Sequence, residues 1–169
     1  MGTLSKGLGT CGGYLAGKKS LIQYLKYNVP GFVFSVGINP PSAAATLKAL
    51  EILEKDPSIV KRLHKNIDTF LEEAHKRGLN TCLAGKTAII PVLVGDDRDA
   101  FLLSNVMLEK GVFVPPAVYP AVPKGQARLR FCVTSEHKEE QIIKALDLLM
   151  ECIQEYKIEL IKEEEETAV

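Results

Sequence analysis

The chain has 169 residues, 46% hydrophobic and 25% charged, which is enough to bury a sizeable core and carries no bias toward disorder or fibre. Its 21 basic and 21 acidic residues cancel, so no overall field draws nucleic acid or an anionic membrane, and it has no apolar run of the roughly 18 residues that would span a bilayer. The four cysteines, Cys11, Cys82, Cys132 and Cys152, form no C-x-x-C pair, which argues against a zinc site or a disulfide scaffold and predicts buried, reduced thiols.

Residues 1–13 are a glycine-rich loop with none of the apolar run of a signal peptide, so a soluble, cytoplasmic protein is expected. Tyr14-Leu15-Ala16 reads as a short strand closed by Gly17. Leu21, Ile22 and Leu25 recur at helical spacing and predict a helix over 18–27. Val29-Pro30-Gly31 breaks it, and residues 32–35 are expected to be extended. Asn39 can cap a helix that takes Pro40 and Pro41 in its first turn, where a missing N–H costs nothing, and runs through alanines to Glu54.

Asp56-Pro57 opens another helix, whose apolar face is Val60, Leu63, Ile67, Phe70, Leu71 and Ala74 and whose stop is Gly78. Residues 88–94 read as a strand that Pro91 places at an edge or bulge. A helix over 98–110 ends at Gly111. Residues 112–114 then read as a short strand, 115–125 as a proline-punctuated loop and 128–133 as an alternating strand. The last helix, over 138–161, lines up Ile142, Ile143, Leu146, Leu149, Met150 and Ile153, and Glu163–Glu166 reads as a solvated tail. From residue 57 onward this order describes a compact α+β unit with a small sheet. Residues 1 to about 50 hold one clear strand and two helices, too little sheet for a domain, and read as part of something larger.

Gly7, Gly9 and Gly12 fit G-x-G-x-x-G, which holds dinucleotide phosphates where it follows a strand and opens a helix. Six residues cannot supply the preceding strand, and residues 14–16 after it are strand-like, so these glycines read as a closely packed loop. Lys6 lies in the same loop. A lysine there is ordinarily just solvated, but its amine condenses with an aldehyde if burial or a nearby cation helps it lose its proton.

Three segments in order give that lysine a context. Gly2-Thr3-Leu4-Ser5-Lys6 is followed by Gly12-Gly13-Tyr14; Phe34-Ser35 precedes Pro40-Pro41 and an alanine-rich helix; Tyr119 to Arg130 leads to Thr134-Ser135-Glu136-His137 and a Glu-Glu-Gln-Ile helix. Together they resemble the α-oxoamine synthase family of pyridoxal-phosphate (PLP) acyltransferases, such as glycine C-acetyltransferase, 8-amino-7-oxononanoate synthase and serine palmitoyltransferase. The resemblance implies an α/β fold. Residues 1–55 would be the end of a fold-type I PLP-transferase large domain with the cofactor lysine loop, residues 56–162 a small α+β carboxyl-terminal domain, and 163–169 a disordered acidic tail.

The resemblance further implies PLP as cofactor, Lys6 as its covalent anchor and the base at the substrate Cα, and Thr3 as a phosphate donor. Ser35 would reach the phosphate of the neighbouring subunit in a homodimer, and Arg130 would bind the substrate carboxylate, a task suited to a planar guanidinium. Arg128 reads as structural or superficial, His64 and His75 as exposed, and His137 as non-catalytic, with Lys138 weakening the helix cap behind it. The partners implied are an amino acid and an acyl-CoA or acyl-carrier-protein thioester, condensed with loss of CO2 to an α-amino ketone; which amino acid and acyl group stays open. In the family an aspartate on the pyridine nitrogen and a stacked histidine come from ahead of the lysine, so the isolated chain is expected to bind PLP weakly or not at all and to be inactive. A fold-type I aminotransferase and a non-catalytic truncated domain are the competing readings.

Overall fold

The computed structural model describes residues 1–161; the expected tail at 163–169 lies outside the described residues. The chain divides into two compact units, Met1–Pro57 and Ser58–Val169.

The first unit opens with a hairpin. Strand β1 (Gly2–Thr3) pairs antiparallel with β2 (Gly13–Tyr14), Gly2 opposite Tyr14 and Thr3 opposite Gly13. A side chain at Gly13 would sit 2.9 Å from the Gly2 carbonyl, so the close pairing requires glycine there. Helices α1 (Lys19–Asn28), α2 (Pro30–Val33) and α3 (Pro40–Lys55) follow. Asn39 caps α3 by accepting the Ser42 N–H at 2.8 Å, with proline in the first turn as the sequence predicts.

Two stretches of this unit depart from the sequence pattern. Because β1 is two residues long, only Gly13 and Tyr14 find a partner, and Leu15 and Ala16 leave the pairing. The expected extended stretch at 32–35 is instead the end of a helical turn begun by Pro30, with the Val29 carbonyl accepting from Phe32 and Val33. Proline ends α1 and starts the next turn because its fixed φ suits position N1. Among the described residues of this unit only Leu4 is buried.

The second unit runs α4 (Ser58–Lys76), β3 (Ile89–Gly95), α5 (Asp97–Glu109), β4 (Pro116–Ala117), β5 (Ala127–Cys132) and α6 (Glu139–Tyr156). The sheet order is β3-β5-β4, all antiparallel, with Ile89 opposite Cys132 and Pro91 opposite Arg130. Strand β3 lies at the edge, where Pro91's missing N–H costs little; the register slips between Leu93 and Gly95, not at the proline. One sheet face, carrying Ile90, Val92, Val94, Leu129 and Phe131, joins the core with Ile67 and Phe70 of α4, Leu103 and Met107 of α5, and Leu146 and Leu149 of α6. Strand alternation turns Arg128, Arg130 and Cys132 to the other face.

Residues 112–114 form no strand. The Val112 N–H closes α5 on the Met107 carbonyl at 2.8 Å and the Val114 carbonyl accepts from the Ser104 hydroxyl at 2.7 Å, so the strand beside β5 falls at Pro116–Ala117, inside the expected loop. Helix α6 stops at Tyr156, five residues short of the periodic reading, because Lys157 adopts a left-handed φ of 53° and the Ile158 N–H bonds the Ile153 carbonyl at 3.0 Å. The cap at Lys138 is half a capping box: its N–H donates to Gln141 Oε1 at 2.9 Å. All four thiols are free, but only Cys152 is buried; Cys11 and Cys132 are exposed and Cys82 is intermediate. Spread along a strand face and loops, those three never meet the core.

Candidate functional site

Two of the three candidate residues of the first unit, Thr3 and Lys6, sit on the β1–β2 hairpin. Beyond its two paired positions the Leu4 N–H bonds the Gly12 carbonyl and the Thr10 N–H the Leu4 carbonyl, both at 2.9 Å, which closes residues 4–12 into a loop. Lys6 lies at its tip, with the Gly9 N–H on its carbonyl at 2.9 Å. Gly9 and Gly12, at φ 63° and 113°, supply the left-handed turns. The glycine pattern is therefore a hairpin loop between two strands and not the strand-to-helix turn of a dinucleotide site. Lys6 is exposed, and among the described residues its amine has no hydrogen bond or ion pair.

Thr3 stands where the loop leaves the ladder. Its hydroxyl lies 2.9 Å from that of Ser5, accepts the Ser5 N–H at 3.3 Å and reaches the Gly12 carbonyl at 3.5 Å. Two hydroxyls and an amine thus lie within four residues of sequence. Beside them an open cleft of about 560 Å³ is lined by Gly2, Thr3, Gly12, Gly13, Tyr14 and Phe32 among others. Backbone without side chains, hydroxyl donors and a primary amine make a donor set that fits a phosphate-bearing aldehyde. Ser35 is exposed after α2 and donates to the Val36 carbonyl at 3.2 Å; it belongs to the same unit but not to this cluster.

In the second unit, β5 presents two arginines on one face with different commitments. Arg128 is held by Gln126, whose carbonyl and Oε1 accept at 3.1 and 3.2 Å, and it approaches Cys82 Sγ at 3.9 Å. Arg130 is exposed, its N–H fixed to the Pro115 carbonyl at 2.9 Å, and among the described residues its guanidinium has no partner. One arginine is a structural brace and the other is available to a carboxylate. His64 and His75 are exposed, as the sequence predicts, and His75 bonds the buried Thr81 hydroxyl at 3.0 Å. His137 takes the Thr134 N–H on Nδ1 at 3.2 Å, a turn-closing role.

A family model described as Aminotransferase class I and II matches residues 1–149. This chain belongs to that family. The 8-amino-7-oxononanoate synthase of Symbiobacterium thermophilum is 43% identical over 146 residues, which is 86% of this chain and 37% of the relative. The 8-amino-7-oxononanoate synthase 1 of Bacillus velezensis is 36% identical over 158 residues, 94% of this chain and 40% of its own length. A solved serine palmitoyltransferase with PLP superposes with a TM-score of 0.83 at 23% identity, covering 94% of this chain and 40% of that one, which shows the shared fold. Within the family the chain belongs to the α-oxoamine synthases, with the fold of the fold-type I PLP transferases. It spans about 40% of the length of these relatives.

Apart from Thr3, sequence reasoning missed the hydroxyl groups around the loop. Ser5 was legible as a neighbour of Lys6. Thr10 was not, because its partner Thr46 is 36 residues away on α3. Asn66, which holds the turn after β5 by donating to the Thr134 and His137 carbonyls at 2.9 and 2.7 Å, likewise had no local signal.

Proposed function

We propose that the chain carries the anchoring, phosphate-binding and carboxylate-binding groups of a cytoplasmic, homodimeric PLP-dependent acyltransferase. The reaction condenses an amino acid with an acyl-CoA or acyl-carrier-protein thioester: the amino-acid Cα bonds to the acyl carbonyl carbon, CO2 and a thiol leave, and an α-amino ketone results. The observation that carries this reading is Lys6, an amine without a partner among the described residues, at the tip of a closed hairpin whose base holds the Thr3 and Ser5 hydroxyls.

PLP, when bound, supplies the electron sink for charge developing at Cα. Lys6 is the covalent anchor and, once released, the base that takes the Cα proton. Thr3 turns its hydroxyl from Gly12 and Ser5 to a phosphate oxygen, a rotation about one bond. Arg130 binds the substrate carboxylate with its two-pronged guanidinium and orients the Cα bonds. Ser35 contributes a hydroxyl to the phosphate of a partner subunit. In the product named by the relatives the amine-bearing carbon carries a methyl, and the amino acid that leaves a methyl there after losing its carboxyl is alanine. Alanine is therefore the first substrate to test.

The test is incubation with PLP, reduction with borohydride and peptide mapping, which traps even weak association and does not depend on turnover. Label at Lys6, lost in Lys6→Ala, is the expected result; label scattered over surface lysines and absent from Lys6 sinks the reading. For the reaction type, thioester-dependent release of CO2 from the amino acid separates the acyltransferase from an aminotransferase, which would pass the amino group to a 2-oxo acid.

A further inference from the structure

The loop that presents Lys6 is tied to α3 by hydroxyl groups. Thr46 Oγ1, one turn into α3, lies 2.8 Å from Thr10 Oγ1 and donates to the Ser42 carbonyl at 2.8 Å. A hydroxyl has one proton. With that of Thr46 given to Ser42, Thr10 is the donor between the two threonines. The Leu4 carbonyl, 3.4 Å from Thr10 Oγ1, is already satisfied by the Thr10 N–H at 2.9 Å. A single line of bonds therefore runs from the first turn of α3 through Thr46 and Thr10 to Leu4, two residues before Lys6. Both threonines are half-buried, and the Ile38 side chain lies over Gly12.

We infer that Thr46, acting through Thr10, is a positioning residue that fixes the loop carrying Lys6. The inference rests on the reading of Lys6 as the cofactor lysine. Below the loop are two paired residues on each strand, the Leu4 and Thr10 N–H groups close its base, and its tip has one internal bond, Gly9 N–H to the Lys6 carbonyl. Without the threonine pair the amine is still present, but its backbone origin is free to sway, and ordering it costs rate when it must engage a carbonyl or a Cα proton.

The test uses the full 169-residue chain without cofactor, followed by hydrogen exchange of residues 4–12. Thr46→Val removes the acceptor at nearly constant volume and should speed exchange there about five-fold, the worth of one neutral hydrogen bond, while segments beyond residue 58 are unchanged. Thr46→Ser should restore the wild-type rate. Thr10→Val removes the same bond, so the double variant should again give about five-fold, not the product of the two. Wild-type exchange in Thr46→Val, failure of the serine variant to restore it, multiplying effects of the two valines, or a loop already unprotected in the wild type would each overturn the inference. Borohydride trapping of PLP supplies the second readout, with slower labelling of Lys6 in Thr46→Val than in Thr46→Ser. A wild type that shows the exchange pattern but no label at Lys6 defeats the cofactor reading and leaves the tether standing.

Discussion

In the second unit Leu129, Leu146 and Leu149 are fully buried, while in the first Leu47 and Leu50 of α3 stay 61% and 44% exposed and Phe34 87%. The apolar content of the two is similar in kind, but one has a sheet to pack against and the other a two-residue hairpin. Residues 58–161 thus hold a continuous core of three helices on one sheet face. Residues 1–57 are shaped by caps, turns and hydroxyl bonds, the sort of interaction that orders a loop without making a domain. The residues read as carrying the cofactor chemistry, Lys6, Thr3 and Ser35, all fall in the unit without a core; Arg130 rides on the unit with one.

The sharpest way to break this contrast is to cut matching leucines. Leu149→Ala removes a fully buried α6 side chain from the core and should cost about 2–5 kcal/mol in urea unfolding followed by circular dichroism. Leu47→Ala should stay within roughly 0.5 kcal/mol. Equal losses would mean that the first unit has a hidden core and that the comparison is wrong. Asn66→Ala comes next. It strips two carbonyls at the β5–α6 turn of their donor and should cost roughly 1–2 kcal/mol, less than a core leucine because those carbonyls can be hydrated.

A smaller effect concerns the clamp on the outside of the second unit. Arg77, just past the end of α4, bonds Glu73 Oε2 of that helix at 2.6 Å and Asp147 Oδ1 of α6 at 2.7 Å. The Arg77 hydrogen bond, seconded by Lys76, holds the Glu73 carboxyl below the usual carboxylate range. A depressed folded value means the contribution is fully present above the unfolded carboxylate pKa and is lost as pH falls through the folded one. The urea midpoint should therefore drop on acidification from the ordinary carboxylate range downward, and Glu73→Gln should flatten that drop without changing the behaviour at neutral pH in the same proportion. An unchanged acid slope in Glu73→Gln would show that other carboxylates carry it.

How much of this was legible in the sequence depends on how local each signal is. Asn39 with two prolines, Gly78 and Gly111 announce their helix ends, and the alternation of 128–133 announces which strand residues face the core. The strand at Pro116–Ala117 was hidden because two residues have no periodicity, and the turn at Pro30–Val33 because a proline that ends one helix equally suits the first position of the next. Of the proposed site, the three motif segments pointed to Lys6, Thr3, Ser35 and Arg130, while the brace on Arg128 and the Thr10–Thr46 pair depend on contacts that no spacing rule reveals.

Three helix ends of the second unit close with one geometry, and only two of them were visible. The Leu79 N–H bonds the Ala74 carbonyl at 3.0 Å, Val112 that of Met107 at 2.8 Å, and Ile158 that of Ile153 at 3.0 Å. The turning residues are Gly78, Gly111 and Lys157, at φ 70°, 87° and 53°. At the third, the burial of Ile153 and Ile158 drives the closure although the turning residue has a side chain. A left-handed conformation costs a side-chain-bearing residue about 1–2 kcal/mol, and the entropy of glycine's unfolded state offsets roughly 0.5–1 of the gain from replacing it. Lys157→Gly should accordingly stabilise the chain by about 0.5 kcal/mol, a small upward shift in the urea midpoint. Lys157→Ala, which keeps a Cβ, should gain nothing. A glycine variant no more stable than the alanine one would show that the left-handed turn is not what strains the end of α6.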